Sequence, residues 1–321
     1  MSGLKLGPGR EFDRIRQLVK RLGKAARDIG DDCAVLPEGP GRTVVSVDLS
    51  VEGVHFRRDW VTLEEIGWRA AAGALSDLAA EGAGVVGVLS SVGVPHAAPD
   101  EQLLALMAGV GAAVEAVGGA VLGGDLSASP QWLIDVTAIG RAERPVSRAG
   151  ARPGDGLWIT GTLGGSRAAV EAWRRGEVPH GVARRAFAHP EPRIRAGQAL
   201  AKAGARAMID VSDGLGGDAA HLAAASGVGL DIDLATLPIS PAVPAAAAAA
   251  GLDPAHFAAL GGEDYELLVA LPGAISPEDV RRLAREADVE LSRIGQVRDG
   301  AGARFVLHGR EITLSGFDHF G

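Results

Sequence analysis

Apolar side chains recur at helical spacing near the start of the chain, and shorter strand-like runs follow. Residues 11–22 carry apolar side chains three and four positions apart and end before Gly23, which predicts an opening amphipathic helix. β-Branched runs that predict strands occupy residues 43–48, 85–94 and 132–139. Helix-like periodicity occupies residues 63–80 and 100–117. Strands and helices are therefore expected to alternate through the first half of the chain.

A second alternating pattern follows a turn-prone segment at residues 140–154, which is rich in arginine and marked by proline. Predicted strands lie at 156–160, 207–211, 229–234 and 265–271. Predicted helices lie at 166–175, 192–203, 215–225 and 277–287. We therefore predict an α+β protein with two domains, an N-terminal α/β domain at 1–145 and a C-terminal α/β domain at 146–321.

Composition narrows the class of protein. With 321 residues, of which 47% are hydrophobic, the chain can form two medium-sized cores. Its 32 basic and 40 acidic residues give a net charge of −8 without a basic run, so nucleic acid is not an expected partner. A lone cysteine, Cys33, excludes an internal disulfide, and no apolar run approaches the roughly twenty residues of a membrane span. Without a signal-peptide pattern, a cytoplasmic enzyme is expected.

Six short acidic stretches fall at predicted turns or strand ends, most of them beside glycine or serine. They are centred on Asp31-Asp32, Asp48, Asp77, Asp125, Asp210 to Asp213, and Glu263-Asp264. Any one of them alone is better explained as a turn or a helix cap, and Ser212-Asp213-Gly214 is the clearest candidate cap. Hard cations such as Mg²⁺ bridge carboxylates to substrate phosphates. The recurrence of acids at strand ends therefore favours phosphoryl-transfer chemistry.

Longer motifs around these acids resemble those of one enzyme family. The matching segments lie at 11–12, 29–35, 51–56, 75–83, 123–125, 153–155, 190–193, 210–215, 261–267 and 316–320. On these segments the chain resembles the thiamine-monophosphate kinases. Their superfamily also holds aminoimidazole ribonucleotide synthetase, selenophosphate synthetase and the hydrogenase maturation dehydratase. Val-Glu-Gly-Val-His-Phe at 51–56, Gly-Gly-Glu-Asp-Tyr-Glu-Leu at 261–267 and Asp-His-Phe at 318–320 point to the kinases, whereas several other segments identify only the superfamily.

Two members of the superfamily lack their nucleophile in this sequence. Selenophosphate synthetases carry a reactive cysteine or selenocysteine on a glycine-rich N-terminal segment, whereas Cys33 lies inside an acidic motif. The dehydratase works through a C-terminal cysteine, and this sequence ends in Phe320-Gly321. Two alternatives stay open: a cyclo-ligase like aminoimidazole ribonucleotide synthetase, and a nucleotide-binding regulator without turnover.

The resemblance implies a magnesium-dependent kinase that moves the γ-phosphoryl group of ATP onto the phosphate of thiamine monophosphate, giving thiamine diphosphate. The acceptor phosphate, with a second pKa of about 6, is already largely ionised at neutral pH, so no strong general base is required. The resemblance also implies a homodimer in which the N-terminal domains form a barrel-like core. It implies that ATP and several Mg²⁺ ions lie in the cleft between the two domains of the chain.

The resemblance assigns site residues one motif at a time. It implies metal ligands at Asp32, Ser46, Val47 through its carbonyl oxygen, Asp48, Asp77, Asp125, Asp210 and Asp213. It implies nucleotide contacts from Gly124, Asp125, Arg148 and Ser212. It implies contacts to thiamine monophosphate from His55, Glu263 and Phe317.

Several of these residues also have a structural interpretation. Ser46 is equally well explained as a strand-end hydroxyl. Arg148 has an alternative interpretation as a solvated linker residue, and a lone histidine such as His55 is more often a hydrogen-bonded structural residue. Glu52 is a further acid near His55 for which a turn role is at least as good. The chain has no Gly-x-x-x-x-Gly-Lys-Ser/Thr sequence, which excludes a P-loop kinase, and 161–166 is only a weak glycine-rich turn. Met107 stands near a position where relatives often have an aromatic that stacks on adenine.

Overall fold

The structure is a computed structural model that describes residues 10–26, 36 and 38–317. The chain divides into two compact units. One comprises Met1–Leu78 and Gly84–Glu143, and the other comprises Ala79–Ala83 and Arg144–Gly321. We call them the N-terminal and C-terminal domains. Among the described helices, none is long and apolar enough to cross a lipid bilayer.

Among its described residues, the N-terminal domain contains a four-stranded sheet and three α-helices. In chain order its elements are α1 (Arg10–Leu22), β1 (Arg42–Val51), α2 (Leu63–Ala80), β2 (Gly84–Pro95), α3 (Asp100–Ala116), β3 (Val121–Ser129) and β4 (Leu133–Ala142). The strand order is β1-β4-β2-β3, in which only β2 and β3 are parallel. The strands and helices predicted for this half are confirmed. The sequence missed β3, because glycines interrupt its apolar pattern.

Local sequence explains how α2 begins and how closely it packs. The hydroxyl of Thr62 accepts the Glu65 N–H, and the Glu65 carboxylate accepts the Thr62 N–H, which is a reciprocal capping box. A β-carbon on Gly67 would lie 1.9 Å from the carbonyl oxygen of Leu106, and one on Gly109 would lie 1.8 Å from that of Glu64. This pair of glycines therefore lets the backbones of α2 and α3 meet.

The C-terminal domain contains a seven-stranded sheet flanked by seven α-helices among its described residues. Its elements are β5 (Gly156–Thr160), α4 (Gly165–Arg174), α5 (Gly181–Ala188), α6 (Ile194–Lys202), β6 (Ala207–Asp210), α7 (Leu215–Ser226), β7 (Gly229–Asp233), α8 (Val243–Ala250), α9 (Pro254–Ala259), β8 (Leu267–Leu271), α10 (Pro277–Ala287), β9 (Leu291–Arg298), β10 (Gly302–Leu307) and β11 (Arg310–Ile312). The strand order is β11-β10-β7-β9-β5-β8-β6. Only β7 and β10 are parallel. The predicted elements are confirmed, and the short helices α5, α8 and α9 are additions.

The core of this domain lies around its central strands. Every residue of β8 is buried, as the continuous apolar run at 267–271 requires of a strand covered on both faces. At the start of β5, the buried carboxylate of Asp155 accepts the Arg152 N–H at 2.8 Å and pairs with Arg206 at 2.9 Å. The matching motif at 153–155 therefore folds the entry turn of the domain.

Candidate active site

Strand β1 brings three of the expected metal ligands beside a fourth on α2. The Ser46 hydroxyl donates a hydrogen bond to the Asp77 carboxylate, so these two side chains meet directly. Asp48 lies two residues along β1 and therefore on the same face as Ser46. The Val47 side chain is exposed on the other face, so any ligand role would fall to its carbonyl oxygen. A hydroxyl beside carboxylates supplies the hard oxygen ligands that suit Mg²⁺.

Asp125 lies on β3 directly after a bulge. The pairing of β2 with β3 shifts between Val88 and Leu89, and the Gly-Gly-Asp segment follows. Gly124 has φ +154°, and a β-carbon there would lie 1.8 Å from the Ser90 carbonyl oxygen. Glycine is therefore required at 124 for β3 to pair closely with β2. This close pairing fixes the position of the next residue, the exposed Asp125.

Asp48 and Asp125 stand at opposite edges of the N-terminal sheet. Leu49, Asp135, Ser91 and Asp125 form one row across the four strands, so they share a face. Asp48 precedes Leu49 and therefore lies on the opposite face. Three strand spacings correspond to about 14 Å. Within one N-terminal domain, then, these two acids do not bind the same cation.

The turn after β1 holds His55 and Glu52. The Nδ1 atom of His55 accepts the Val51 N–H at 3.0 Å, so the neutral ring carries its proton on Nε2. Glu52 accepts the Trp132 N–H at 3.1 Å, which supports its interpretation as a turn residue. The imidazole is thus oriented by the backbone with Nε2 as its hydrogen-bond donor.

The end of β6 concentrates three carboxylates in the C-terminal domain. Asp210 ends the strand, Asp213 follows, and Asp218 on the first turn of α7 accepts the N–H groups of Ser212 and Asp213 at 3.1 and 3.2 Å. Within the candidate cap Ser212-Asp213-Gly214, Gly214 is the N-cap of α7, and the loop amides are bound by Asp218. Burial, together with the charges of Asp210 and Asp213, raises the pKa of Asp218 to about 8. A divalent cation would relieve this repulsion.

A second loop runs alongside Ser212 and extends the pairing of β6 with β8. The Val211 N–H donates to Glu266 at 2.7 Å, the Tyr265 N–H donates to Val211 at 2.9 Å, and the Glu263 N–H donates to Ser212 at 2.7 Å. Glu263 and Tyr265 have φ of +59° and +51°. This left-handed backbone costs roughly 1–2 kcal/mol for a residue other than glycine, and such strain clusters at functional sites.

Phe317 reaches the same loop from the far end of the described chain. Its N–H donates to the Asp213 carbonyl at 3.0 Å, and its side chain is 61% exposed. A β-carbon on Gly217 would lie 2.8 Å from the Cα of Gly316, so the segment crosses α7 where both residues are glycine. Adjacent carbonyls, those of Ser212 and Asp213, therefore anchor both predicted substrate residues of this domain.

A buried ion pair between Glu266 and Arg193 lies at the end of this loop. The Glu266 carboxylate accepts Nε and Nη2 of Arg193 at 2.8 and 2.7 Å and the Thr160 hydroxyl at 2.7 Å. A β-carbon on Gly161 would lie 1.9 Å from Glu266 Oε1, so glycine is needed there. The matching motif at 190–193 thus contributes a structural arginine, a role that sequence reasoning had not assigned.

The glycine-rich turn at 161–166 binds a side chain of the protein. Asp264 accepts the Gly164 N–H at 2.8 Å and the Ser166 N–H at 3.5 Å, at the start of α4. The Leu163 N–H donates to Pro238 at 2.9 Å. Burial, as the largest cause, raises the pKa of Asp264 to about 7. This turn is therefore held by hydrogen bonds within the protein.

The remaining candidates differ in setting. Arg148 is exposed, its carbonyl accepts the Ser226 hydroxyl at 3.0 Å, and its guanidinium forms no ion pair with the described residues. Met107 is buried beside Ser90. Asp32 and residues 318–320 lie outside the described part of the chain. Within residues 10–26, 36 and 38–317, no three histidine, cysteine or acidic side chains form a ready metal site.

Comparison with known proteins identifies the family. The N-terminal domain of AIR synthase related proteins matches residues 30–142, and the corresponding C-terminal domain matches 152–308. Thiamine-monophosphate kinase of Mycobacterium tuberculosis (strain ATCC 25618 / H37Rv) is 38% identical over 318 residues, covering 97% of this chain and 92% of that protein. The chain belongs to the thiamine-monophosphate kinase family.

Solved structures of this family confirm the two-domain fold. Thiamine-monophosphate kinase from Stenotrophomonas maltophilia K279a matches with a TM-score of 0.81 and 33% identity, covering 96% of this chain and 98% of that one. AaThiL complexed with AMPPCP and TMP matches with a TM-score of 0.78 and 32% identity, covering 97% of both chains. The resemblance drawn from the motifs is therefore confirmed, and the chain is a kinase by family.

Proposed function

We propose that this protein phosphorylates thiamine monophosphate with ATP, giving thiamine diphosphate and ADP. One observation carries the proposal: near-full-length similarity to thiamine-monophosphate kinases extends to a structure complexed with AMPPCP and TMP. The geometry of the C-terminal domain supports it. The loops that carry Ser212, Asp213, Glu263 and Phe317 are bound to one another through backbone hydrogen bonds.

The phosphates of ATP are proposed to bind through oxygen ligands and Mg²⁺. Ser46, Asp48 and Asp77 are hard-oxygen donors in one domain, and Asp210 and Asp213 are such donors in the other. The list of proposed ligands is completed by Asp32, Val47 and Asp125. Bound Mg²⁺ would neutralise phosphate charge and hold both anions. The exposed guanidinium of Arg148 suits a forked contact to phosphate, and Gly124 and Ser212 complete the proposed nucleotide contacts.

The acceptor is proposed to lie against Glu263, Phe317 and His55. Phe317 exposes its ring, which can cover a cationic thiazolium face. Glu263 can pair with the positive charge or accept a hydrogen bond from the aminopyrimidine. His55 presents Nε2–H as a donor because its Nδ1 is occupied by Val51. No general base is assigned, since the attacking phosphate is already ionised and the residues act by alignment and charge stabilisation.

A homodimer through the N-terminal sheet is part of the proposal. Val45, Val47 and Leu49 on the edge strand β1 are 60%, 60% and 44% exposed, which is unusual for an apolar row. Among the described residues, β1 has an edge without a neighbouring strand, and the outer edge of β3 carries a single bridge from Ala26 to Val121. Closing two such sheets edge to edge would cover the apolar row.

The decisive experiment is product formation with purified protein, ATP and Mg²⁺. Thiamine monophosphate, thiamine and formylglycinamidine ribonucleotide are offered in parallel, and thiamine diphosphate and ADP are quantified by chromatography. We expect product from thiamine monophosphate alone and none after chelation of Mg²⁺. ATP-dependent ring closure of the ribonucleotide instead would assign a cyclo-ligase. ATP binding without turnover of any substrate would assign a nucleotide-binding regulator.

Carboxylate variants test the metal ligands separately from folding. Asp48→Asn and Asp125→Asn should abolish turnover while the melting temperature changes little, because these acids are partly or fully exposed. Asp155→Asn is the contrasting variant, since this buried acid pairs with Arg206 in a structural turn. It should lower stability and leave kcat of the folded fraction unchanged. A large stability loss in Asp48→Asn or Asp125→Asn would instead mark a structural acid.

A further inference from the structure

The motif at 261–266 contains three acids, and one of them has no assigned role. Glu263 is the proposed substrate contact, and Glu266 pairs with Arg193 beneath the loop. Asp264 stands between them and turns toward the neighbouring helix, where its carboxylate accepts the N–H groups of Gly164 and Ser166 at the start of α4. The three acids therefore face different partners.

Asp264 lies between the two strained residues of this loop. Glu263 and Tyr265 both have positive φ, and their N–H groups bind the carbonyls of Ser212 and Val211 at 2.7 and 2.9 Å. These backbone bonds hold one side of the loop. The Asp264 carboxylate holds the other side through its 2.8 Å bond to Gly164. A backbone in this sparsely populated conformation persists only where its surroundings fix it.

We propose that Asp264 is a positioning residue for the phosphate acceptor: by clamping the loop to the N-terminus of α4, it fixes the backbone from which Glu263 contacts thiamine monophosphate. This inference rests on the proposed function, because it assigns Glu263 to the acceptor. Asp264 itself does not touch substrate. Loss of an ordinary helix cap lowers stability alone. Loss of the Asp264 clamp should also weaken binding of the acceptor.

Three variants and one control test the clamp. Asp264→Ala removes both acceptor atoms, and Asp264→Asn keeps a carbonyl oxygen for the Gly164 N–H. Glu263→Gln removes the charge proposed to meet the substrate. The control is Asp155→Asn, a buried acid of this domain that likewise accepts a backbone N–H in a turn. KM for thiamine monophosphate and for ATP is measured for each, together with hydrogen exchange of the peptide covering 261–266.

The clamp predicts a split between the two substrates. Losing a hydrogen bond to a charged group should raise KM for thiamine monophosphate about tenfold in Asp264→Ala, and about threefold or less in Asp264→Asn. KM for ATP should stay within about twofold. The amides of Glu263 and Tyr265 should exchange faster in Asp264→Ala, and exchange at 261–266 should be unchanged in Asp155→Asn.

Three results would overturn the inference. Unchanged exchange at 261–266 in Asp264→Ala would mean that other contacts hold the loop. Equal rises in both KM values, or a stability loss without any change in KM, would leave Asp264 as a cap alone. If Glu263→Gln does not change KM for thiamine monophosphate, Glu263 does not contact the acceptor. The exchange measurement still tests whether Asp264 holds the loop. Asp264→Asn supplies the same comparison if Asp264→Ala does not fold.

Discussion

Replacing Arg193 with methionine should destabilise the C-terminal domain far more than an ordinary arginine replacement. The guanidinium makes two hydrogen bonds to Glu266, whose side chain is only 5% exposed, while that of Arg193 is 23% exposed. Methionine restores the apolar stem but leaves the carboxylate without its cation. Among the described residues, the Thr160 hydroxyl would then be the remaining side-chain donor to that carboxylate.

The size of the effect follows from burial. Removing one partner of a buried ion pair costs about 3–5 kcal/mol, and the partial exposure of Arg193 favours the lower end, about 3 kcal/mol. Glu266→Gln should cost less, because the freed arginine is near the surface and lies 3.4 Å from Glu191. The double variant Arg193→Met/Glu266→Gln carries no unpaired buried charge, so it should be about 2 kcal/mol more stable than additivity predicts.

These differences in the free energy of unfolding are measured by urea unfolding monitored by circular dichroism. At constant slope, a shift of the urea midpoint gives the change in stability. Arg185→Met is the matched control, since Arg185 pairs with Glu191 at 2.8 Å but is 74% exposed. It should change stability by less than about 0.5 kcal/mol. The reasoning is refuted if Arg193→Met costs no more than Arg185→Met, or if the two single changes at 193 and 266 simply add.

Three further predictions address the sheet, the dimer and pH. Gly124→Ala should cost about 2–3 kcal/mol in urea unfolding because of the clash with the Ser90 carbonyl, whereas Gly204→Ala, with positive φ but open space, should cost about 1–2 kcal/mol. Val47→Asp should leave a folded monomer in sedimentation analysis if the proposed dimer covers β1, whereas the equally exposed Val178→Asp should not. Burial raises the pKa of Asp264 from 3.8 to about 7, so the folded state keeps a proton that the unfolded chain releases. Stability should therefore fall as pH rises from about 4 to 7, and a pH series of urea midpoints should show a shallower fall for Asp264→Asn.

The sequence predicted most elements and the family because those signals are local. The helix at 63–80 and the strand at 267–271 follow from periodicity and continuous apolar runs, which report burial directly. The motifs at 51–56 and 261–267 carry the resemblance that family membership confirms. Strand β3 was not predicted because Gly123 and Gly124 break its apolar pattern. In the structure, Gly124 allows a close contact between β3 and β2.

Only the tertiary structure divided the acids into those that can face ligands and those that build the loops. In sequence, Asp213 and Asp218 are both acids near a helix start, and Glu263, Asp264 and Glu266 lie in one motif. The fold gives Asp218 and Asp264 backbone amides as partners and gives Glu266 a buried arginine. Residue type and spacing determine that carboxylates are present. Which amide or cation each one meets depends on contacts between segments far apart in the chain, and only packing brings those segments together.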